Sequence, residues 1–468
     1  MSRRRLRAAP KVPETLLAGF AQLREEMGVP AAFPDDVVAE AEAAVRAPVD
    51  PAGREDLRAL AFVTIDPPSS RDLDQAMCIA PDGDGFLLRY AIADVGAFVR
   101  PGGAVDREAW RRGTTIYSPD GRSPLYPPAL SEGGASLLPD GDRPAVVFEI
   151  PVAADGTPGG HRVFRAMVRS RAKLAYGDGA QVPHLEALGT ALAAAAERRG
   201  AVEIDLPGQQ VVPADTPEGF ALALETRRPD EDWNAQVSLC ANVAGAHLML
   251  AAGTGLFRVL GPPDPARVAG LQAAAVTLGL APPDAADGLR AVACCTGPDQ
   301  AVLELRRSAR QAVPTGAGYR AWPSDGDPPF HSAVAAPYAH ATAPLRRLAD
   351  RYVLDLLVEL SAGRPVPPGT AETMARLPEV MGRAEALADR LENACIDLVE
   401  ATLLRARVGE RFAAVVWGVN ERGARIQLRE PPVRATLPGA QGTPPGSELQ
   451  VVLAEADPAR RVVAFRPA

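Results

Sequence analysis

The sequence predicts an α+β protein with a large mixed domain, a small helical domain before it and an OB-type β-barrel after it. Three patterns carry this prediction: helical spacing of apolar residues in 1–52, β-rich stretches followed by long helical ones in 53–408, and short alternating strands in 409–468. A chain of 468 residues with 47% hydrophobic residues is long enough for one large core and one or two small ones.

The N-terminal part is predicted to contain two helices. Its apolar residues recur at helical spacing in two runs, which are Leu16, Leu17, Phe20, Leu23 and Met27, then Val37, Val38, Ala41, Ala44 and Val45. Asp35, just before the second run, suits the start of a helix. This part of the chain is therefore expected to be helical.

Helices are predicted in the later half of the middle part, and strands in the C-terminal part. The predicted helices span 184–199, 232–252, 265–278, 344–362 and 371–408. The predicted C-terminal strands span 412–417, 423–428, 448–453 and 461–465. Short strands with Pro and Gly turns between them are typical of a small OB-type barrel.

Three aspartates follow a β-rich run that ends at Ile65: Asp66, Asp72 and Asp74. Carboxylates that meet in space repel one another unless a cation lies between them, and such oxygen ligands suit Mg²⁺ or Mn²⁺. The stretch therefore indicates metal-dependent phosphoryl transfer. The alternative is a solvated acidic loop, because the prolines and serines of 67–70 are turn formers.

An adjacent pair of arginines, Arg346 and Arg347, follows Pro344 at the start of a predicted helix. Guanidinium groups near a helix N-terminus form a planar, permanently charged fork for phosphate. Such a fork suits substrate anchoring and the charge that develops as a phosphodiester breaks. For this segment taken alone, the alternative is an exposed arginine pair without a ligand.

Together, the acidic stretch 64–75 and the arginine stretch 338–350 resemble the RNase II/RNase R (RNB) family of 3′-to-5′ exoribonucleases. That family carries a T-I-D-x5-D-x-D-D stretch followed by a T-S-P-I-R-R-Y-x-D stretch, and similar stretches occur here in that order. Further segments similar to those of the family are 90–98, 113–117, 124–131, 172–176, 241–242, 257–263 and 305–310. The similarity spans roughly residues 57 to 400.

The resemblance implies an RNB-type catalytic domain that degrades single-stranded RNA, or RNA with a 3′ overhang, processively to nucleoside 5′-monophosphates. It implies Mg²⁺ as the cofactor, or Mn²⁺ in its place, in a two-metal arrangement that activates water and neutralises the leaving 3′ oxygen. Stacking on aromatic side chains tolerates any base, and the 2′-OH distinguishes RNA from DNA. We expect a monomer with no membrane partner.

The same resemblance implies roles for individual residues. The catalytic residues implied are Asp72, Asp74 and Arg346, of which Asp74 is essential and Arg346 stabilises the transition state. The implied metal ligands are Asp66, Asp72, Asp74 and Gln75. The implied RNA contacts are Tyr117, Tyr176, Arg347, Gln236 and Glu392, with Tyr176 nearest the 3′ end.

Three positions depart from the family pattern. Gln75 replaces a fourth aspartate, Ala343 replaces a serine, and Gln236 or Ala235 replaces a glutamate that helps to hold the terminal nucleotide. They favour an alternative in which a catalytically weakened family member acts as an RNA-binding protein. Retention of Asp66, Asp72, Asp74 and Arg346 argues against it. A metal-dependent phosphatase is disfavoured, because its nucleophile should follow the strand directly.

Relatives in this family normally begin with two cold-shock barrels, and residues 1–52 are too short and too helical for these. We expect a small helical domain in their place. Two interpretations stay open: a helix-turn-helix domain that contacts RNA, or helices that only pack on the rest of the chain. The C-terminal barrel resembles the family's RNA-binding barrel, and its few aromatic residues indicate a mainly electrostatic contact with RNA.

The net charge of −8 argues against nucleic-acid binding, because phosphate contacts favour basic surfaces, but a total charge does not describe a channel. Of the 50 basic residues only Lys11 and Lys173 are lysines. Arginine is the better fork for phosphate, and a GC-rich genome explains the excess equally well.

Cysteine, histidine and hydropathy patterns exclude several other classes. Five cysteines without paired C-x2-C spacing disfavour a disulfide framework and a zinc site, and five scattered histidines disfavour a histidine metal site. The sequence has no apolar run of about 18 residues and no signal-peptide core, so we expect a cytoplasmic protein.

Overall fold

The computed structural model of the protein describes residues 6–8, 13–202, 208–216, 218–225, 228–266, 268–269, 317–444 and 447–468. Within these ranges the helices are α1 (Glu14–Glu26), α2 (Asp35–Arg46), α3 (Ala104–Arg112), α4 (Leu185–Arg198), α5 (Pro229–Ala251), α6 (Leu348–Ser361) and α7 (Thr370–Leu404). The strands are β1 (Leu6–Ala8), β2 (Glu55–Asp56), β3 (Phe62–Ile65), β4 (Gln75–Asp82), β5 (Gly85–Ala93), β6 (Ile116–Ser118), β7 (Gly121–Ser123), β8 (Asp142–Val152), β9 (Arg162–Leu174), β10 (Gly208–Pro213), β11 (Phe220–Glu225), β12 (Gly255–Val259), β13 (Gly318–Trp322), β14 (Arg411–Asn420), β15 (Gly423–Leu428), β16 (Arg434–Leu437), β17 (Glu448–Asp457) and β18 (Val462–Pro467). The predicted α+β fold class and the N-terminal helices are confirmed.

The central sheet closes on itself and carries the acidic stretch between two of its strands. Its order is β2-β9-β3-β4-β5-β8, and β8 pairs again with β9. β3 runs parallel to β9, whereas β4, β5 and β8 are antiparallel to their neighbours in that order. β3 and β4 share the residue pair Val63 and Met77, and the loop between these strands contains all three aspartates.

Among the described residues, the buried apolar side chains form two clusters. The larger cluster fills the closed sheet and the helices packed on it, and it includes the fully buried Tyr90, Phe148 and Leu357. The smaller cluster combines α1, the C-terminal half of α7 and the strands β14 to β18. Phe20 of α1 and Val399 of α7 are fully buried in it.

The C-terminal strands form a barrel-like sheet of order β16-β15-β14-β17-β18, in which β16 also contacts β18. The predicted OB-type barrel is therefore confirmed. Its strand β16 has four residues, which is too short for an alternating pattern to be recognised in the sequence.

The helix predicted at 344–362 begins later than expected, at Leu348, so the placement of Pro344 in its first turn is wrong. The preceding residues pair instead with the chain after α3. Thr115 N donates to the carbonyl of Arg346 at 3.0 Å, and Arg347 is extended at the helix N-cap. These contacts compete with helical hydrogen bonds and delay the start of α6.

A small sheet of order β1-β10-β11 joins the N-terminal strand to the middle of the chain, and the sequence pattern did not predict it. The helix predicted at 265–278 lies mostly outside the described residues, and the family-like segment 305–310 lies wholly outside them. In the part of the chain that the structure describes, no helix has both the length and the apolar character needed to cross a membrane.

Candidate active site

The loop between β3 and β4 is held from two sides. Lys173, at the end of β9, donates from Nζ to the carbonyls of Pro68 at 2.7 Å and Ser70 at 2.5 Å. On the other side, Leu73 N donates to Ser136 Oγ at 2.9 Å. These hydrogen bonds satisfy backbone groups of the loop and restrain the backbone that carries the three aspartates.

Asp74 lies at the base of the site and is 4% exposed. Its Oδ1 accepts a hydrogen bond from Leu345 N at 2.7 Å, and its Oδ2 lies 3.3 Å from Arg346 Nε. Burial raises the pKa of Asp74 to about 7, although Arg346 opposes the shift. The acidic stretch and the arginine stretch, which are far apart in the sequence, therefore meet at this carboxylate.

Asp66 has a carboxylate oxygen, Oδ2, that is buried without a hydrogen-bond donor in the described part of the chain. Burial raises the pKa of Asp66 to about 7; the Asp72 charge adds to this, while Arg346 and Lys173 act in the opposite direction. A buried carboxylate oxygen without a donor is costly unless another charge compensates it.

Asp72 is paired with an arginine that the sequence did not single out. Arg122 Nη1 lies 2.5 Å from Asp72 Oδ1, and Arg122 Nη2 lies 2.8 Å from Glu132 Oε1. Arg122 is on β7, in the hairpin that β6 and β7 form. The hairpin is thereby tied to the acidic loop.

The donor set fits a hard divalent cation in part. Asp66 and Asp74 offer buried carboxylate oxygens, and the unpartnered Oδ2 of Asp66 is the kind of atom that a cation would satisfy. Among the described residues, no three His, Cys, Asp or Glu side chains form a group that could hold a metal. Asp72 is instead paired with Arg122.

Gln75 also has another partner, because its amide Nε2 donates to the Thr342 carbonyl. Thr342 Oγ1 in turn contacts Ser238 Oγ at 2.9 Å and accepts a hydrogen bond from Asn242 Nδ2 at 3.1 Å. This polar network connects β4 to α5 and to the segment before Arg346. Metal coordination by Gln75 and by Asp72 stays a prediction.

The two adjacent arginines have different environments. The Arg346 side chain is 44% exposed beside Asp74, so its guanidinium can reach a phosphate. Arg347 is bound through Nε and Nη2 to both carboxylate oxygens of Asp350, at 3.0 and 2.7 Å, and Asp350 is fully buried. This bidentate pair indicates a structural role for Arg347, and its predicted contact with RNA stays untested.

Two of the predicted RNA contacts flank the aspartates. Tyr117 on β6 is 48% exposed and interacts electrostatically with Arg346 and Asp72. Tyr176, just after β9, is half-buried, and burial raises the pKa of its hydroxyl; it bonds to Asn234 and interacts electrostatically with Asp66. One exposed aromatic ring thus lies near Asp72 and one half-buried ring near Asp66.

The other two predicted RNA contacts lie on helices. Gln236 is half-buried on α5, near Asn234, whose Nδ2 lies 3.5 Å from the Ile65 carbonyl. Glu392 is on α7 and interacts electrostatically with Cys395, whose neighbours also include Asp120 of the hairpin. The roles of Gln236 and Glu392 in RNA binding stay predictions.

The sequence did not single out Arg122, and Thr342 and Lys173 lay within the family-like stretches 338–350 and 172–176 without an assigned role. Arg122 lies between the family-like segments 113–117 and 124–131, which was the available signal, but its partner could not be read from these segments. All three residues act across long sequence separations, so a local pattern does not reveal them.

Comparisons with known proteins agree on one family. The family model of the RNB domain matches residues 54–362, and that of the RNase II-type exonuclease C-terminal S1 domain matches residues 410–468. The chain is 31% identical over 419 residues to Ribonuclease R of Vibrio cholerae, a match that covers 81% of this chain and 50% of that protein. The chain thus spans about half the length of the curated relatives it matches.

Solved structures show the same fold. Mycoplasma genitalium RNase R in complex with ribose methylated single-stranded RNA matches with a TM-score of 0.82 at 19% identity, over 97% of this chain and 78% of that one. The yeast protein Ssd1, described as a pseudonuclease, matches with a TM-score of 0.63 at 15% identity, over 86% of this chain and 53% of that one. The fold therefore occurs in a ribonuclease and in a pseudonuclease, so catalysis has to be argued from the site.

Proposed function

The chain belongs to the RNase II/RNase R (RNB) family, and on that premise we propose that it is a 3′-to-5′ exoribonuclease acting on single-stranded RNA. The observation that carries the proposal is the contact between Asp74 and Arg346, in which a buried carboxylate and a half-exposed guanidinium share one pocket. This arrangement suits hydrolysis of a phosphodiester, since a carboxylate, the kind of group that ligates a cation, lies 3.3 Å from a guanidinium, the kind of group that binds phosphate.

Each group has a role in that reaction. Arg346 would bind the non-bridging oxygens of the terminal phosphodiester and stabilise the charge that builds up as the bond breaks. A divalent cation, Mg²⁺ or Mn²⁺, held by Asp66 and Asp74, would lower the pKa of the attacking water. Water adds to phosphorus, the bond to the 3′ oxygen of the preceding nucleotide breaks, and that oxygen takes up a proton. The product is a nucleoside 5′-monophosphate.

Recognition of RNA would be independent of its nucleotide sequence. Tyr117 offers an exposed ring on the hairpin and Tyr176 a half-buried ring behind Asp66, and base stacking on such rings accepts every base. A chain that is shortened by one nucleotide can then slide into the same contacts, which is what processive degradation requires. Discrimination against DNA would depend on contacts with the 2′-OH.

The second candidate is an RNA-binding protein with little or no turnover. It is favoured by the pairing of Asp72 with Arg122 and by Gln75, whose amide is bound to Thr342. Both observations reduce the carboxylate charge available to a metal. The contact between the buried Asp74 carboxylate and the Arg346 guanidinium favours the nuclease over this candidate.

The test uses a 5′-labelled single-stranded RNA with Mg²⁺, Mn²⁺ or EDTA, and a DNA of the same sequence. We expect a metal-dependent ladder that shortens from the 3′ end, with mononucleotides as the released product and no degradation of DNA. Asp74→Asn should abolish RNA degradation. Asp84→Asn, a matched change at an exposed carboxylate in the turn between β4 and β5, should leave it intact.

Binding without shortening in either metal, for wild type as for Asp74→Asn, would establish the second candidate. Circular dichroism of each variant separates loss of chemistry from loss of folding.

A further inference from the structure

Arg122 is paired with Asp72, one of the three aspartates of the acidic loop. We propose that its guanidinium takes the place of a second divalent ion, so that the site binds one ion through Asp66 and Asp74 while Asp72 stays paired with Arg122. The inference rests on the proposed function, because it assumes that the site takes a divalent cation.

The guanidinium of Arg122 is held by two ion pairs. Its Nη1 is 2.5 Å from Asp72 and its Nη2 is 2.8 Å from Glu132, so the guanidinium bridges two carboxylates with two different nitrogens. The side chains of Arg122 and Asp72 are 24% and 11% exposed, which limits competition from water. A charge-assisted contact of this kind, shielded from solvent, is stronger than a surface ion pair.

The hairpin that carries Arg122 is itself anchored. At its tip, Arg24 Nη1 of α1 lies 2.5 Å from Asp120 Oδ1 and donates to Ser118 Oγ at 2.9 Å. At its end, Ser123 Oγ donates to the Pro30 carbonyl at 2.5 Å. Displacing Arg122 from Asp72 would therefore require either a rotamer change against Glu132 or movement of the hairpin.

The charges lead to the same conclusion. When ionised, Asp66, Asp72, Asp74 and Glu132 carry a formal charge of −4. Arg122, paired with Asp72 and Glu132, and Arg346, 3.3 Å from Asp74, offset two of these charges. The two that remain equal the charge of one divalent ion. The two ions of a two-metal site lie ~3.5–4 Å apart, and a second ion beside Asp72 would meet the Arg122 cation at similar range, where like charges repel strongly.

Arg122 could instead serve only to tie the hairpin to the loop. In that case its charge should not affect the number of divalent ions that the site binds. Arg122→Gln keeps hydrogen-bonding capacity and removes the charge, while Arg122→Lys keeps the charge. If the charge limits the number of ions, the two variants must differ in metal stoichiometry. Arg71→Gln is the matched control, because Arg71 approaches the same Glu132 only at 3.9 Å and is 69% exposed.

The experiment counts bound Mn²⁺ per chain by electron paramagnetic resonance and by calorimetry, without RNA. The Asp66→Asn, Asp74→Asn double variant gives the background from other acidic sites, which is subtracted. We expect about one site-specific ion for wild type, Arg122→Lys and Arg71→Gln, and about two for Arg122→Gln. Circular dichroism confirms that each variant is folded.

Two site-specific ions in wild type, or a single ion in folded Arg122→Gln, would overturn the inference and leave the proposed function standing. Absence of any site-specific ion in wild type would instead overturn the metal-dependent mechanism itself.

Discussion

Arg24 of the first helix and Asp120 at the tip of the β6–β7 hairpin form an ion pair with an N–O distance of 2.5 Å. The hairpin carries Tyr117, which we propose to stack on RNA. The N-terminal helix therefore fixes the position of a substrate contact, although it contributes no residue to the acidic loop.

Arg24→Gln should weaken RNA binding more than catalysis. The pair is partly buried, with side chains 27% and 12% exposed. Its loss should make the RNA-binding position of the hairpin less favourable by roughly 1 kcal/mol. That corresponds to about a fivefold rise in KM with kcat little changed. Arg46→Gln, at an exposed pair with Glu42 on α2, is the control and should change neither constant. A fall in kcat at constant KM would contradict the positioning role.

Lys173→Met should disorder the acidic loop. The ammonium group donates to the carbonyls of Pro68 and Ser70, and a hydrogen bond from a charged group contributes about 1.5–3 kcal/mol. We expect kcat to fall by roughly 100-fold, because misplaced catalytic groups lose transition-state contacts. Steady-state kinetics and thermal melting measure the effect. Lys173→Arg should recover much of the rate, and an unchanged kcat in Lys173→Met would contradict this role.

Asp350→Asn should destabilise the fold, because Asp350 is fully buried and its carboxylate is the counter-ion of the Arg347 guanidinium. Breaking a buried pair by removing one partner costs about 3–5 kcal/mol. Urea unfolding should show this loss. Asp355→Asn, on the same helix but 42% exposed, should cost less than about 1 kcal/mol. Equal losses in the two variants would argue against the structural assignment.

Arg346→Lys should reduce kcat far more than RNA affinity. Lysine keeps a positive charge but lacks the planar fork, so binding of the ground state suffers little. Loss of a group that acts in the transition state typically lowers kcat by about 10²–10³-fold. Single-turnover degradation and equilibrium RNA binding separate the two effects. A variant that binds RNA weakly but turns over at the normal rate would refute the role of Arg346.

Acid should destabilise the protein through His331. Burial lowers the pKa of His331 to about 4, and it lowers the pKa of the half-buried His340 well below its usual range. The folded state therefore keeps these imidazoles neutral, whereas the unfolded chain takes up protons near pH 6.5. The stability that they contribute is complete above about pH 6.5 and is lost as the pH falls toward 4. For His331 this amounts to about 2–3 kcal/mol.

The observable is the difference between wild type and His331→Asn in unfolding free energy at pH 7.5 and pH 5. The difference is needed because the raised pKa values of Asp66 and Asp74 act in the opposite direction. His184→Asn, at an exposed residue with a φ of 64° that asparagine tolerates, is the control. If His331→Asn retains the full wild-type pH dependence, His331 does not contribute it.

The sequence predicted what depends on local patterns or on the family resemblance. The apolar face of Leu16, Phe20 and Leu23 follows from helical periodicity, and the structure buries all three side chains in α1. The alternating C-terminal strands likewise indicated a barrel. The start of α6 was wrong because Thr115 pairs with the Arg346 carbonyl, a contact between segments that no local pattern records.

Several residues of the candidate site were predictable from the sequence, but not all of their contacts were. Asp66, Asp74 and Arg346 were expected together, and the structure brings them together through a buried carboxylate. The partner of Asp72 could not be predicted, because Arg122 reaches it through the register of a hairpin. Side-chain pairing across folded segments is set by the tertiary packing, which has no signature in residue spacing.

The smaller of the two apolar clusters makes the two ends of the chain depend on each other. Phe20 of α1 packs in the same interior as Val399 of α7 and Phe465 of β18, and Arg461 lies 2.7 Å from Glu26 across the surface above it. The sequence suggested a separate module at each end, yet neither has an interior of its own. They should therefore melt in one cooperative step, and removing the first helix should unravel the C-terminal barrel as well.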